Sequence, residues 1–197
     1  MKTERVQAFT DGVIAIIITI TVLELPVPHR VDLLSLRAEA PILLAYALSF
    51  VTVGIFWNNH HHLFQATEHI DGSVLWANMF MLFWMSLAPW EIRWLDESNF
   101  AVMPIAGFGA VFGMTAAGYA WTQVRIIVVN GRDSAVGRAV GGDAKGKISL
   151  AGYALAIPLA FLLPWASGAI YVAIALLWLI PDRRIESELM RRREPPA

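Results

Sequence analysis

The chain has no cysteine, which excludes disulfides, thiol catalysis and thiolate metal sites together. Charge is scarce too: only 16% of the 197 residues are Asp, Glu, Lys or Arg, and they nearly cancel to a formal net charge of −1. That balance leaves no basic footprint for nucleic acid. The sequence also lacks the polarity of an ordinary soluble domain, since 57% of it is hydrophobic and its mean hydropathy is +0.55. The composition is that of an integral membrane protein. Lys2 and Arg5 precede an apolar run, as in a signal peptide, but Asp11 interrupts that run and no small-residue cleavage site follows. It therefore reads as a retained helix.

What is present is a series of long apolar runs. A bilayer core needs about 20 apolar residues per helix, and six segments come near that length: roughly 9–26, 41–64, 74–94, 100–124, 148–164 and 166–181. This predicts an all-α membrane protein whose six helices fill residues 1–181, with 182–197 as a charged tail. Six helices place both termini on one side. Lys2, Arg5, Arg125, Arg132, Arg138, Lys145, Lys147, Arg183, Arg184, Arg191, Arg192 and Arg193 fall on that side, and only Arg30, Arg37 and Arg93 on the other. The positive-inside rule then assigns both termini to the cytoplasm. Trp57, Trp76, Trp121 and Trp178 fall near the inner interface on this topology, and Trp90, Trp94 and Trp165 near the outer one. Residues 125–147, rich in glycine and basic side chains, read as a flexible loop.

The first helix carries polar groups where they are costly. Arg5, Phe9, Thr10 and Asp11 stand at its inner end and Glu24 at its outer end. Charge within a span costs several kcal/mol unless it is paired or wetted, so it marks an ion path or a structural lock. Beyond Asp11, Ile16, Ile20 and Leu23 recur at helical spacing with Thr19 beside them, and all four share one face. Copies of that face around an axis could line a narrow path. It could equally be the ordinary apolar stripe of a packed helix. Thr19 and Thr21 have a local option as well, bonding back to their own helix.

The second run ends in GIFWNNHHHLF, which brings Trp57, Asn58, Asn59 and His60 to His62 to the interface where Asp11 lies. Three successive histidines suggest a metal site, but helical neighbours point about 100° apart and cannot all face one ion. A polar network fits better, with a histidine and Asn78 of the third run satisfying Thr10 and Asp11. The TVGIF segment, 52–56, looks like a fragment of a carbonyl filter. It lies inside an uninterrupted apolar span, so its carbonyls are committed to the helix and it is not a filter.

Arg5-x-x-x-Phe9-Thr10-Asp11-Gly12, an Ala15-Ile16 run bearing threonines, and Trp57-x-x-His60-His61-x-x-Phe64 together resemble the endosomal and lysosomal potassium channel family known as transmembrane protein 175, in its bacterial form. Thr10 stands where that family usually has serine and keeps the hydroxyl. The resemblance implies one six-helix unit per chain, assembly as a homotetramer, and a pore lined by the first helix with no extended carbonyl filter. It places the hydrophobic constriction at Ile16, further layers at Thr19 or Ile20 and at Leu23, and Arg5, Thr10, Asp11, His60 and Trp57 in a polar network that fixes the pore helix. It also implies potassium and other monovalent cations as cargo, a lipid bilayer setting in the bacterial inner membrane, and neither cofactor nor bound metal.

Two other classes remain open to the residues. A proton-coupled transporter or metal permease would use Asp11, Glu24 and the histidines, although the Pro- or Gly-broken helix pairs expected of many such carriers are missing. Glu24, one residue beyond the stripe, is either a cation-gathering group at the pore mouth or an ordinary interfacial glutamate. An intramembrane enzyme is disfavoured, because no activated nucleophile accompanies the histidines.

Overall fold

A computed structural model describes residues 3–28 and 30–179. Among these residues the chain is helical throughout: α1 (Thr3–Leu23), α2 (Leu33–Ala38), α3 (Ala40–Gln65), α4 (Gly72–Met85), α5 (Ala88–Glu97), α6 (Val102–Asn130), α7 (Ala135–Val140), α8 (Ala144–Leu159) and α9 (Pro164–Leu179). Short polar side chains start the elements where orphan N–H groups need acceptors. Asp32 accepts from Ser35 N at 2.7 Å ahead of α2, and Ser134 Oγ from Gly137 N at 3.1 Å ahead of α7. Asp71 opens α4, where the Ser73 hydroxyl and the Val74 N–H hold its carboxyl below the usual carboxylate range. Arg125 Nε in turn donates to Ser73 Oγ at 2.8 Å, tying the start of α4 to α6.

The longest element, α6, is the centre of the bundle and packs against α4, α5, α8 and α9. Phe108, Phe112, Val111 and Ile126 on α6 are buried, as are Met81, Leu82 and Met85 on α4 and Tyr153 and Ala156 on α8. On the other side α1 packs against α3, α4 and α5.

The structure differs from the six-run reading in three ways. Among the described residues, four stretches are long and apolar enough to cross a membrane: Thr3–Leu23, Ala40–Gln65, Gly72–Glu97 and Val102–Asn130. The last two runs become α8, 16 residues long and so about 24 Å of helix against a hydrocarbon core of about 30 Å, and α9, described from Pro164 as far as Leu179. Pro158 lies inside α8 near its end, and Pro164 begins α9. The third run breaks between Met85 and Ala88, because Pro89 has no N–H for the Met85 carbonyl and its ring crowds the preceding turn. The segment read as a flexible loop is mostly helical: α6 extends to Asn130, α7 follows, and α8 begins at Ala144. The charged tail at 182–197 lies outside the described residues.

Candidate functional site

Two faces of α1 have different fates. Val6, Thr10, Ile14, Ile17 and Thr21 recur every three or four residues and are buried inside the chain. Phe9, Gly12, Ile16, Ile20 and Leu23 form a second stripe left exposed among the described residues, with Ile16 59% and Leu23 75% exposed. Thr19 is exposed next to this stripe, but its hydroxyl donates to Ala15 O at 2.8 Å. Thr21 bonds back likewise, to Ile17 O at 2.7 Å. Ile16 is followed on this side of α1 by a threonine whose oxygen keeps a lone pair free to accept.

The buried face is fastened by a three-helix chain of polar groups. Asn78 on α4 donates through Nδ2 to Thr10 Oγ1 at 2.9 Å. Its Oδ1 lies 3.0 Å from His60 Nε2 on α3. With the amide nitrogen committed to Thr10, the amide oxygen must accept, so His60 carries its proton on Nε2. Thr10, Asn78 and His60 are all fully or almost fully buried, and the His60 ring stacks on Phe64 with centroids 4.2 Å apart. His60 Nδ1 is left buried without a partner among the described residues.

Asp11 belongs to a second, more exposed fastening. Trp57 Nε1 donates to Asp11 Oδ1 at 2.9 Å, and the Trp57 ring stacks on His61 at 5.8 Å. Gln7 Nε2 reaches His61 O at 3.3 Å one turn before Asp11. Asp11 is thus held by Trp57 and not by a histidine. Arg5 and Phe9 do not join either chain: both are exposed, and among the described residues Arg5 has no hydrogen bond or ion pair. Arg5 instead lies one helical turn before Phe9, at the N-terminal end of the exposed stripe.

The three histidines splay as helical geometry requires. His60 points inward to Asn78, His61 lies against Trp57 and Gln65, and His62 meets His61 edge-on at 5.7 Å. Among the described residues, no three His, Asp or Glu side chains converge on a metal position. Residues 52–56 are helical within α3, where Thr52 Oγ1 donates to Leu48 O at 2.7 Å.

Just past the C-terminal end of α1, Glu24 is not a free charge. Its carboxylate lies 3.6 Å from Arg93 Nη1 on α5, and Arg93 Nε also donates to Glu97 at 2.8 Å. Sequence reasoning missed Arg93 as the partner of Glu24 and Gln7 as a residue that ties α1 to α3. The available signals were that Arg93 is the one basic residue of the outer set lying within an apolar run, and that Gln7 precedes Asp11 by one helical turn.

Comparisons with known proteins converge on one family. Residues 5–89 match the model of the endosomal/lysosomal potassium channel TMEM175. A Chryseobacterium sp. (strain P1-3) protein named as a potassium channel is 46% identical over 189 residues, which cover 96% of this chain and 98% of that protein. A Streptomyces collinus potassium channel is 37% identical over 97 residues, 47% of each chain. The human protein, named endosomal/lysosomal proton channel TMEM175, is 41% identical over 116 residues, 53% of this chain and 23% of the human one. The crystal structure of a lysosomal potassium-selective channel TMEM175 homolog from Chamaesiphon minutus superposes with a TM-score of 0.76 at 23% identity, covering 91% of this chain and 97% of that chain. That likeness extends to the fold.

Proposed function

The chain belongs to the TMEM175 family, and we propose on that premise that it is a multi-pass potassium channel of the bacterial inner membrane whose pore is lined by α1 from four copies. The observation that carries this reading is the division of α1: one face fastened through Thr10 and Asp11, the other left bare from Phe9 to Leu23. A fastened helix with an uncovered apolar stripe suits the wall of an axial path. The six-span topology with both termini in the cytoplasm goes with it, α8 and α9 serving as the last two spans of a channel unit at 1–181.

Ile16 forms the neck in this reading, with Thr19, Ile20 and Leu23 as the layers above it. Four isoleucines offer no oxygen to replace water, so an ion crosses with part of its shell intact or when the ring widens and wets. Potassium gives up water more readily than sodium, and a narrow apolar ring therefore favours it modestly. Glu24 lies at the outer mouth, its charge offset by Arg93. The cargo is potassium and other monovalent cations. No resident cofactor, metal, nucleic acid or catalytic step is required.

The test is ion flux through the purified protein in liposomes. We expect potassium to move down its gradient without a coupled solute, faster than sodium. Ile16→Asn, which places amides at the neck, should raise total conductance and weaken discrimination between the two ions. Flux that requires stoichiometric proton movement would replace the channel with a proton-coupled carrier. Unchanged conductance and selectivity in Ile16→Asn would move the neck to Ile20 or Leu23.

A further inference from the structure

Glu91 is a carboxyl group that the proposed ion path does not use. It lies in the first turn of α5, is fully buried, and neither carboxylate oxygen has a hydrogen-bond partner among the described residues. It is pressed against the backbone of α6. A methyl group built on Gly107 would lie 2.8 Å from Oε2 and 3.2 Å from Oε1, so the absent side chain at 107 is the room the carboxyl fills. The same position is 3.0 Å from the ring of Trp94, which closes the site from the α5 side.

The surroundings supply no counter-charge. Helices α6, α1 and α3 pack against α5. Residues 102–118 of α6 include no titratable or charged side chain. In this half of the bundle the residue after α1 is Glu24, which is engaged with Arg93, and α3 contributes Tyr46. Tyr171 of α9 is committed elsewhere, its hydroxyl donating to Ile105 O at 3.1 Å. Arg93, Asp96 and Glu97 of α5 itself are exposed or partly exposed. None of these groups comes within hydrogen-bond distance of either Glu91 oxygen.

A carboxylate ion in such a place would be uncompensated, at a cost large enough to drive α5 off α6. A metal ion or ammonium group would need volume and further ligands that the contact with Gly107 denies. The proton needs neither. We propose that Glu91 is a proton-binding site, and that the bound proton is what allows α5 to seat on α6. Glu91 stands between Trp90 and Trp94, six residues before exposed Glu97, so the proton is exchanged with the aqueous face at that end. Because α5 also holds Glu24 through Arg93, the occupancy of this site reaches the end of α1. Assigning that face to the outside rests on the proposed topology; the occupancy does not.

Infrared difference spectroscopy of the full chain in lipid, wild type minus Glu91→Gln, reads the occupancy directly. At neutral pH the difference should contain the carbonyl stretch of a neutral carboxylic acid, which fades on alkalinisation. A carboxylate band at neutral pH in its place overturns the proposal. Thermal melting gives an independent reading: deprotonation leaves a buried charge in the folded chain, so wild-type stability should fall as pH rises, with a smaller fall in Glu91→Gln. An equal fall in both overturns the proposal. So does a Glu91→Gln chain that cannot fold while apolar Glu91→Met also fails, because a neutral occupant of similar size must fit a site that holds a neutral acid. None of these readouts involves conduction, so their failure leaves the channel reading standing.

Discussion

Among the described residues Asn78 is the one side chain that bonds to both α1 and α3, and both of its amide atoms are committed. Replacing it with alanine leaves the Thr10 hydroxyl and the His60 Nε2–H buried without partners. Interhelical hydrogen bonds in membranes are worth about 0.6–2 kcal/mol each, and orphaned buried groups add about 1–3 kcal/mol. Asn78→Ala should therefore cost about 2 kcal/mol or more. Trp57→Phe removes only a partly exposed N–H to Asp11 and should cost about 1 kcal/mol or less. Thermal melting in detergent compares the two, and equal losses would mean that the two fastenings share one network. Thr10, Asp11, Trp57, His60 and Asn78 could be picked out from the sequence, since a polar group in an apolar helix must find a partner or water. The grouping of Asn78 and a histidine with Thr10 was legible too, but the Trp57 partner of Asp11 was not, because which side chains of α3 face α1 depends on the rotation of α3. Arg5 illustrates the limit: it is five residues from Thr10, roughly 140° around the helix, so proximity in a motif does not put both on one face.

At the scale of elements, the bundle is held together where helices approach backbone to backbone. A methyl group at Gly118 of α6 would lie 2.7 Å from Met81 Cα and 2.9 Å from Met81 N on α4. Backbone atoms cannot rotate away, so α4 and α6 would have to separate. Such overpacking costs about 1–3 kcal/mol, more than the gain of up to about 1 kcal/mol in helix propensity from glycine to alanine. Gly118→Ala should lower the melting temperature, whereas Gly168→Ala on α9, with nothing within 4 Å of the new methyl, should leave it unchanged or raise it. A neutral Gly118→Ala would show that the α4–α6 contact is looser than this geometry. The apolar runs that became α1, α3 and α6 were evident from length alone. The break before α5 was marked by Pro89 but masked by continuous hydropathy on both sides. The helical character of 125–147 was hidden because five glycines suggested a loop, although Ser134 and Asp143 stand where helix caps belong.

At the scale of the whole molecule, α1 and α3 lie on one flank of the α6 core and expose apolar surface that a bilayer or further copies must cover. Lipid alone would satisfy Ile16 and Leu23 as well as it satisfies Trp76 on α4, which is 73% exposed. Burial in one subunit therefore does not distinguish an axial face from a lipid face. That part of the architecture is legible only through family membership, since symmetry is a property of copies and leaves no periodicity within a single chain. The absence of cysteine gives a direct way to separate the two faces. If four copies of α1 surround the path, Ile16→Cys creates a ring of four thiols, a favourable set for a soft tetrahedral divalent cation. Cadmium should then block potassium flux through Ile16→Cys liposomes, and a thiol chelator should restore it. Trp76→Cys, a single thiol facing lipid in each copy, should be as insensitive as the cysteine-free parent. Equal cadmium sensitivity in the two variants, or none in a conducting Ile16→Cys protein, would remove Ile16 from the axis and with it the four-copy path along this face of α1.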